Sequence, residues 1–358
     1  MAERGGFSVG LLGYGTVGSA FAELLDERSE EIERFNGVRP RITGVLTRSR
    51  GDFDEILAGA ELIVEVMGGI EPAREHLLRA MRAGRHVVTA NKQLLSQHGE
   101  ELFETAREHD VRLRFEAAVA GSVPVVRVLE ESLSATPIER IHGIVNGTTN
   151  FILSEMARGS SYAQALAEAQ RSGYAEADPS DDVSGRDAAA KMAILARLAF
   201  GTPVHLEDVR YEGIEHLHTD DLEYAREFDL GLKLVGTAER RGGGLSVTVH
   251  PTFLYSGHPL AAISGSFNAV TLESETITEI TLSGPGAGGR QTASAVLGDH
   301  DVSIKSVVQR GLGENARLVM VTHPVLESSM RAAVARVGEF DFLRSTPRTI
   351  RVIEEEYV

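Results

Sequence analysis

Residues 7–12, FSVGLL, form a short apolar run that passes directly into Gly13-Tyr14-Gly15-Thr16-Val17-Gly18 and then into the amphipathic stretch AFAELLDERSEEI. A strand, a G-x-G-x-x-G turn and a helix in this order is a dinucleotide-binding arrangement with a physical reason for each glycine. Gly13 permits the tight turn, Gly15 lets a pyrophosphate approach the backbone, and Gly18 lets helix and strand pack closely. The first helical turn then offers free N–H groups to phosphate. The rhythm continues. RITGVLT (41–47), ELIVEVMG (61–68), HVVTAN (86–91) and VRLRFEA (111–117) read as strands, with helical stretches near 72–83 and 94–109. Strands alternating with helices predict an α/β fold built on a doubly wound, Rossmann-type parallel sheet.

The end of the second strand bears on which nucleotide fits. A site for NAD usually carries an acid there for the ribose hydroxyls. This chain has Thr47-Arg48-Ser49-Arg50 instead. Arg48 or Arg50 is suited to a 2′-phosphate, so NADP is expected, with NAD as the alternative; two solvated loop arginines are the plainer reading. Ala90-Asn91-Lys92 closes the fourth strand at the carboxyl edge of the sheet, where ligands of such folds bind. Lys92 is therefore placed for a cofactor ribose, a phosphate or a substrate, or is simply a solvated lysine that opens a helix.

Composition narrows the chemistry. The chain has 358 residues, enough for two domains and a short third, and a formal charge of −16 that disfavours nucleic acid and anionic membranes as partners. Its start, MAERGGFSVG, lacks the pattern of a secretory signal and no apolar run reaches the length of a membrane span, so a cytoplasmic protein is expected. Cysteine is absent, which excludes disulfides, thiolate metal sites and covalent thiohemiacetal chemistry. Of 36 basic residues only four are lysines: Lys92, Lys191, Lys233 and Lys305. An amine can give up its proton where a guanidinium effectively cannot, so lysine retained in an arginine-rich chain draws notice, although compositional drift also explains it.

From residue 143 the pattern changes. GIVNGTTN reads as a strand and turn, with Thr148 or Thr149 able to cap the helix FILSEMARG. SYAQALAEAQRSG leads to Gly173-Tyr174-Ala175-Glu176-Ala177-Asp178-Pro179-Ser180-Asp181-Asp182, a loop with four acids, followed by the helix AAAKMAILARLAF. Asp187 and Lys191 are four apart and share a helix face. Three readings stand at this point. One is a solvated acidic loop with a surface ion pair. Another is a metal loop, although the EF-hand spacing is not met. The last is a site for a small amino acid, with carboxylates on its ammonium and Lys191 handling a proton at an alcohol or carbonyl.

The segments GLLGYGTVGSA, TANKQLLSQHGEEL, FEAAVAGSVPVV, GIVNGTTNFIL, YAQALAEAQRSGYAEADPSDDVSGRDAAAKMAILA and SGPGAGGRQTASAVLGD, spanning roughly residues 9–299, resemble homoserine dehydrogenases. The resemblance implies reversible, NAD(P)-dependent interconversion of L-homoserine and L-aspartate 4-semialdehyde, a step toward threonine, methionine and isoleucine. It implies direct hydride transfer, with Lys191 as general acid/base and Asp187 as its partner. Glu176 and Asp182 match substrate-binding acids, and Lys92 a lysine near nicotinamide and substrate. Glu116, Val119, Gly121 and Val123 match oxygen donors to a monovalent cation, usually sodium, and Gly286 a glycine loop returning to the cofactor. The expected layout is a nucleotide-binding domain over 1–142, completed by about 285–299, and an α+β substrate and dimerisation domain over 143–284. A homodimer or homotetramer follows. Residues 300–358 resemble part of a threonine-sensing ACT module whose opening strand and first helix are missing. This truncated tail is expected to pack against another subunit or the substrate domain, with weak or absent threonine feedback, or to be poorly ordered. A related semialdehyde oxidoreductase and a catalytically silent NADP- or amino-acid-binding regulator are the competing functions; intact Glu176, Asp187 and Lys191 argue against silence.

Overall fold

The computed structural model describes residues 6–241 and 243–286, together with the backbone of two strands at 307–310 and 317–320. The chain divides into two compact units, Met1–Asp301 and Val302–Val358.

The first unit opens with alternating elements: β1 (Gly6–Leu12), α1 (Thr16–Asn36), β2 (Arg39–Leu46), α2 (Phe53–Gly59), β3 (Leu62–Glu65), α3 (Ala73–Arg82), β4 (His86–Thr89), α4 (Lys92–Glu108) and β5 (Leu113–Arg114). All five strands are parallel, in the order β2-β1-β3-β4-β5. Side chains of a strand alternate between its faces, and here both faces are apolar. Val9, Leu11, Val64 and Val88 pack under Phe21, Leu25 and Ile32 of α1, while Leu12, Ile63 and Val87 pack against α2, α3 and α4 on the other face. Each such fully buried side chain is worth about 1.5–3 kcal/mol of transfer free energy. The strand order reverses direction between β1 and β3, which sets the ligand crevice of a doubly wound sheet at their carboxyl ends.

One expected strand is shorter than its pattern. Of residues 111–117 only Leu113–Arg114 pair with β4; Glu116–Ala118 turn into a 3₁₀ helix. The carboxylate of Glu116 accepts from the N–H groups of Val126 (2.9 Å) and Arg127 (2.8 Å), so it serves the start of the short helix α5 (Val125–Arg127) and draws the chain out of the sheet.

The chain then builds β6 (Arg140–Ile144), α6 (Gly147–Ala157), α7 (Tyr162–Arg171), α8 (Ser180–Val183), α9 (Arg186–Phe200), β7 (Arg210–Tyr211), α10 (Thr219–Glu227), β8 (Leu230–Arg241), β9 (Gly244–Tyr255), β10 (Phe267–Ser274) and β11 (Thr278–Pro285). The six strands form a second sheet, β11-β10-β6-β8-β9-β7, antiparallel except for the pairing of β7 with β9. Helix α9 lies close on one face: a Cβ at Gly236 would sit 2.3 Å from Met192 Cγ. α6 starts two residues earlier than a Thr148 cap would place it. Its cap is Asn146, whose Oδ1 accepts from Thr149 N–H at 2.8 Å.

In the second unit, β12 (Val307–Arg310) and β13 (Arg317–Met320) pair antiparallel. The remainder of the tail, and with it the ACT-like helix and last strand, lies outside the described residues, as does the rest of the glycine loop after Gly286. Among the described residues no helix is long and apolar enough to cross a membrane.

Candidate active site

The glycine turn has the geometry its sequence requires. Gly13 takes φ +103°, a conformation that side chains rarely adopt, and a Cβ there would lie 2.7 Å from Val66 O. A Cβ on Gly18 would lie 2.2 Å from Gly13 O, so only glycine lets α1 start this close to β1. Gly15 faces open space, with nothing within 4 Å of a built Cβ. α1 begins at Thr16 without a side-chain cap, which leaves its first N–H groups for a ligand anion. Tyr14 is exposed beside it and Val17 half-buried. The end of β2 is tied to this turn by Gly13 N–H donating to Leu46 O at 2.9 Å, and Thr47 N–H donates to Arg50 O at 2.8 Å in the bend that follows. Arg48 and Arg50 are exposed there, and among the described residues neither meets a carboxylate.

A cavity of about 380 Å³ opens at the carboxyl edge of the parallel sheet. Val17, residues 66–69, Lys92, Gly121, Lys191 and Gly286 line it, so the glycine turn, both lysines and the start of the later glycine loop share one space.

The lysines meet on a single carboxylate. Asp187 and Lys191 stand one turn apart on α9, with Nζ 2.7 Å from Oδ2. Lys191 Nζ also donates to Val145 O at 2.9 Å. Lys92, 95 positions earlier, reaches Oδ1 of the same aspartate. Asn146 Nδ2 donates to Asp187 Oδ2 (2.8 Å) and to Asp182 Oδ1 (2.6 Å). The Asp187 side chain is only 1% exposed. Burial alone would raise its pKa, but the two ammonium groups prevail and hold it well below the usual carboxylate range. Its place in the first turn of α9 adds a favourable helix dipole. Asp182 is pushed up, by burial first and by the neighbouring Asp187 charge second. Burial disfavours charge on Lys92, yet Asp187 outweighs it and the amine lies above its ordinary value.

Sequence reasoning placed Asp187 with Lys191 and missed Asn146. This residue ends the strand segment, caps α6 and bonds both acids. Its signal, an Asn ahead of Gly-Thr-Thr, was masked by two equally good caps beside it. Glu176 is not drawn into the cluster: its side chain is exposed, and its backbone carbonyl accepts from Gln170 Nε2 at 3.2 Å.

The turn of Glu116, Val119, Gly121 and Val123 borders the same cavity. Ala120 and Gly121 take φ +58° and +67°. A Cβ on Gly121 would lie 2.3 Å from Gly286 O, so the turn packs directly on the later glycine loop. Among the described residues the carbonyls of Val119 and Gly121 have no backbone donor, whereas those of Glu116 and Val123 accept from Val119 and Val125.

Two family models match in tandem: the homoserine dehydrogenase NAD-binding domain over residues 13–116 and homoserine dehydrogenase over residues 124–300. The homoserine dehydrogenase of Bacillus subtilis (strain 168) is 42% identical over 308 residues, covering 81% of this chain and 71% of the relative. The crystal structure of a homoserine dehydrogenase from Thiobacillus denitrificans superimposes with a TM-score of 0.79 at 34% identity, covering 94% of this chain and 96% of that one. A hyperthermophilic archaeal homoserine dehydrogenase in complex with NADPH gives 0.71 at 29% identity, covering 83% and 97%. With its nucleotide turn, its lysine–aspartate cluster and this likeness taken together, the chain belongs to the homoserine dehydrogenase family, NAD(P)-dependent oxidoreductases acting on a CH–OH group.

Proposed function

We propose that Lys191 is the general acid/base of this enzyme, giving its proton to the aldehyde oxygen of L-aspartate 4-semialdehyde in reduction and taking it back in the oxidation of L-homoserine. The observation that carries this reading is the placement of Lys191 Nζ in the cavity shared with the glycine turn, held by Asp187 and Val145 O. When bound, the nicotinamide supplies or accepts the hydride. Lys191 fixes the oxygen while C4 of the substrate changes oxidation state, and the positive field of Lys92 and Lys191 favours the developing alkoxide. Asp187 orients both amines. Asp182 takes the substrate ammonium, and Glu176, exposed here, joins it when its loop folds over the substrate. The test is oxidation of homoserine by each cofactor with wild type and Lys191→Ala.

The residues present fit a dinucleotide. Gly15 leaves room for a pyrophosphate, and the first N–H groups of α1 are uncapped. Arg48 would hold a 2′-phosphate, which favours NADP over NAD. A charge-assisted bond of this kind is worth about 1.5–3 kcal/mol. Arg48→Ala is expected to raise KM for NADP about tenfold or more and to leave KM for NAD unchanged; parallel changes for both cofactors would remove Arg48 from 2′-phosphate binding.

The 116–123 turn fits a hard monovalent cation, sodium in the first instance, through the carbonyl oxygens of Val119 and Gly121 with Glu116 and Val123 alongside. Backbone carbonyls can replace the hydration shell of such an ion. Bound there, it would brace the contact between Gly121 and Gly286. Replacing choline chloride by sodium chloride at constant ionic strength is expected to raise activity, and equal rates would dismiss the cation. The face of the second sheet opposite α9, on which Phe267 stands exposed, is the surface we assign to a second copy of the chain.

A further inference from the structure

Glu65 ends β3, the middle strand of the parallel sheet, and is fully buried with no cation beside it among the described residues. A carboxyl group in such surroundings is expensive unless donors satisfy it. Here they come from two different loops. Oε1 accepts from the N–H groups of Met67 (2.8 Å) and Gly68 (3.2 Å). Oε2 accepts from Thr89 Oγ1 at 2.5 Å, and Thr89 Oγ1 in turn accepts from Asn91 N–H at 3.0 Å. Asn91 closes the ring, donating through Nδ2 to Gly69 O at 2.6 Å and capping α4 by accepting from Leu94 N–H. The two loops joined this way form one wall of the cavity, and the residue after Asn91 is Lys92.

We propose that Glu65 is a positioning residue for the reaction: its carboxylate locks the 66–69 and 89–92 loops together, and so fixes both the nucleotide-facing wall of the cleft and the start of α4 from which Lys92 reaches Asp187. The argument is one of geometry and valence. Without this group two backbone N–H groups and a threonine hydroxyl lose a shared acceptor, and the Asn91–Gly69 bond is left to join the loops without it. Gly68 and Gly69 both take positive φ, so this segment has little conformational preference of its own to hold it in place. The proposal rests on the assignment of Lys92 to the site, and its test is arranged to separate the two.

Glu65→Gln keeps size and one acceptor oxygen but places an amide NH₂ against Thr89. Displacements of about 1 Å in a catalytic assembly can cost about 10²-fold. The expected result is a 10- to 100-fold loss of kcat, a rise of about tenfold in the Kd for NADPH read by fluorescence titration, and a homoserine KM changed less than kcat. Thr89→Val, nearly isosteric but without the hydroxyl, is expected to give the same pattern, and Thr89→Ser to restore wild-type values. In a Lys92→Ala background, Glu65→Gln is expected to cost much less kcat than in wild type, because the part of its effect that passes through Lys92 is already lost. Wild-type kcat and NADPH affinity in Glu65→Gln and Thr89→Val would overturn the proposal, as would losses that multiply with Lys92→Ala. Should Lys92→Ala alone leave turnover intact, the role of Lys92 falls, while the NADPH Kd of the Glu65 and Thr89 variants still decides the role of Glu65.

Discussion

Lys191→Ala is expected to lower turnover with homoserine by about 10²–10⁴-fold, the ordinary contribution of a positioned general acid/base. The fold should survive the change. Lys191 lies inside α9, among alanines, where alanine is the best helix former, and the deleted amine leaves its space to the cavity it already lines. The midpoint of thermal unfolding is expected to fall moderately, because buried Asp187 loses one amine but keeps Lys92 and Asn146, while the rate collapses far more. Lys191→Arg is expected to rescue little of the loss. A guanidinium restores the charge near Asp187 but cannot give up a proton near neutral pH, and its planar fork does not fit where Nζ donates to both Val145 O and Asp187. Following nucleotide absorbance under saturating homoserine and NADP distinguishes the cases. Unchanged turnover in Lys191→Ala would remove this residue from the proton transfer, and full activity in Lys191→Arg would reduce its part to charge alone.

The features legible in the sequence are those set by local rules. The G-x-G-x-x-G turn could be placed between a strand and a helix because each glycine answers a local steric demand, at Gly13 a positive φ and at Gly18 a close approach to Gly13 O. The two-faced apolar strands of the parallel sheet were legible for the same reason, since their continuous apolar runs signal burial on both sides. Asp187 and Lys191 were legible as a pair because helical periodicity alone brings them together. What the sequence withheld depends on the tertiary fold. Nothing in the residues around Lys92 announces that it shares a carboxylate with a helix 95 positions away. Asn146 competes on paper with Thr148 and Thr149 as a cap, and its bonds to Asp182 and Asp187 decide the matter only once the loop is folded over it. The strand expected over 111–117 ended early for a comparable reason: the Glu116 side chain binds backbone N–H groups ten and eleven positions on, a contact that no window of strand propensity contains. Glu65 carries no local sign of its loop-joining role, which appears only with the positions of Met67, Gly68 and Thr89.

Asp187→Asn tests the cluster itself and is expected to lower turnover by about 10²-fold or more, comparable with loss of the acid/base it orients. The asparagine preserves shape but offers one acceptor where the carboxylate serves three donors, Lys92, Lys191 and Asn146. Removing one member of a fully buried ion pair costs about 3–5 kcal/mol. The cost here should fall below that range, because Lys92 is 39% exposed and can turn its ammonium to solvent. The stability difference carries a pH signature whose sign follows from the shifted groups. Asp187 has a folded-state pKa below its ordinary value of 3.8, so its contribution is present above that value and is lost as pH falls through the depressed one. Lys92 lies above its ordinary value of 10.5, so its contribution is present below that value and is lost as pH rises through the raised one. The gap in Tm between wild type and Asp187→Asn is therefore expected to be widest between about pH 5 and about pH 9 and to narrow toward either extreme. A gap that stays constant into acid would mean that Asp187 is not held as an anion between the two amines, and turnover unaffected by the substitution would separate the carboxylate from the chemistry of Lys191.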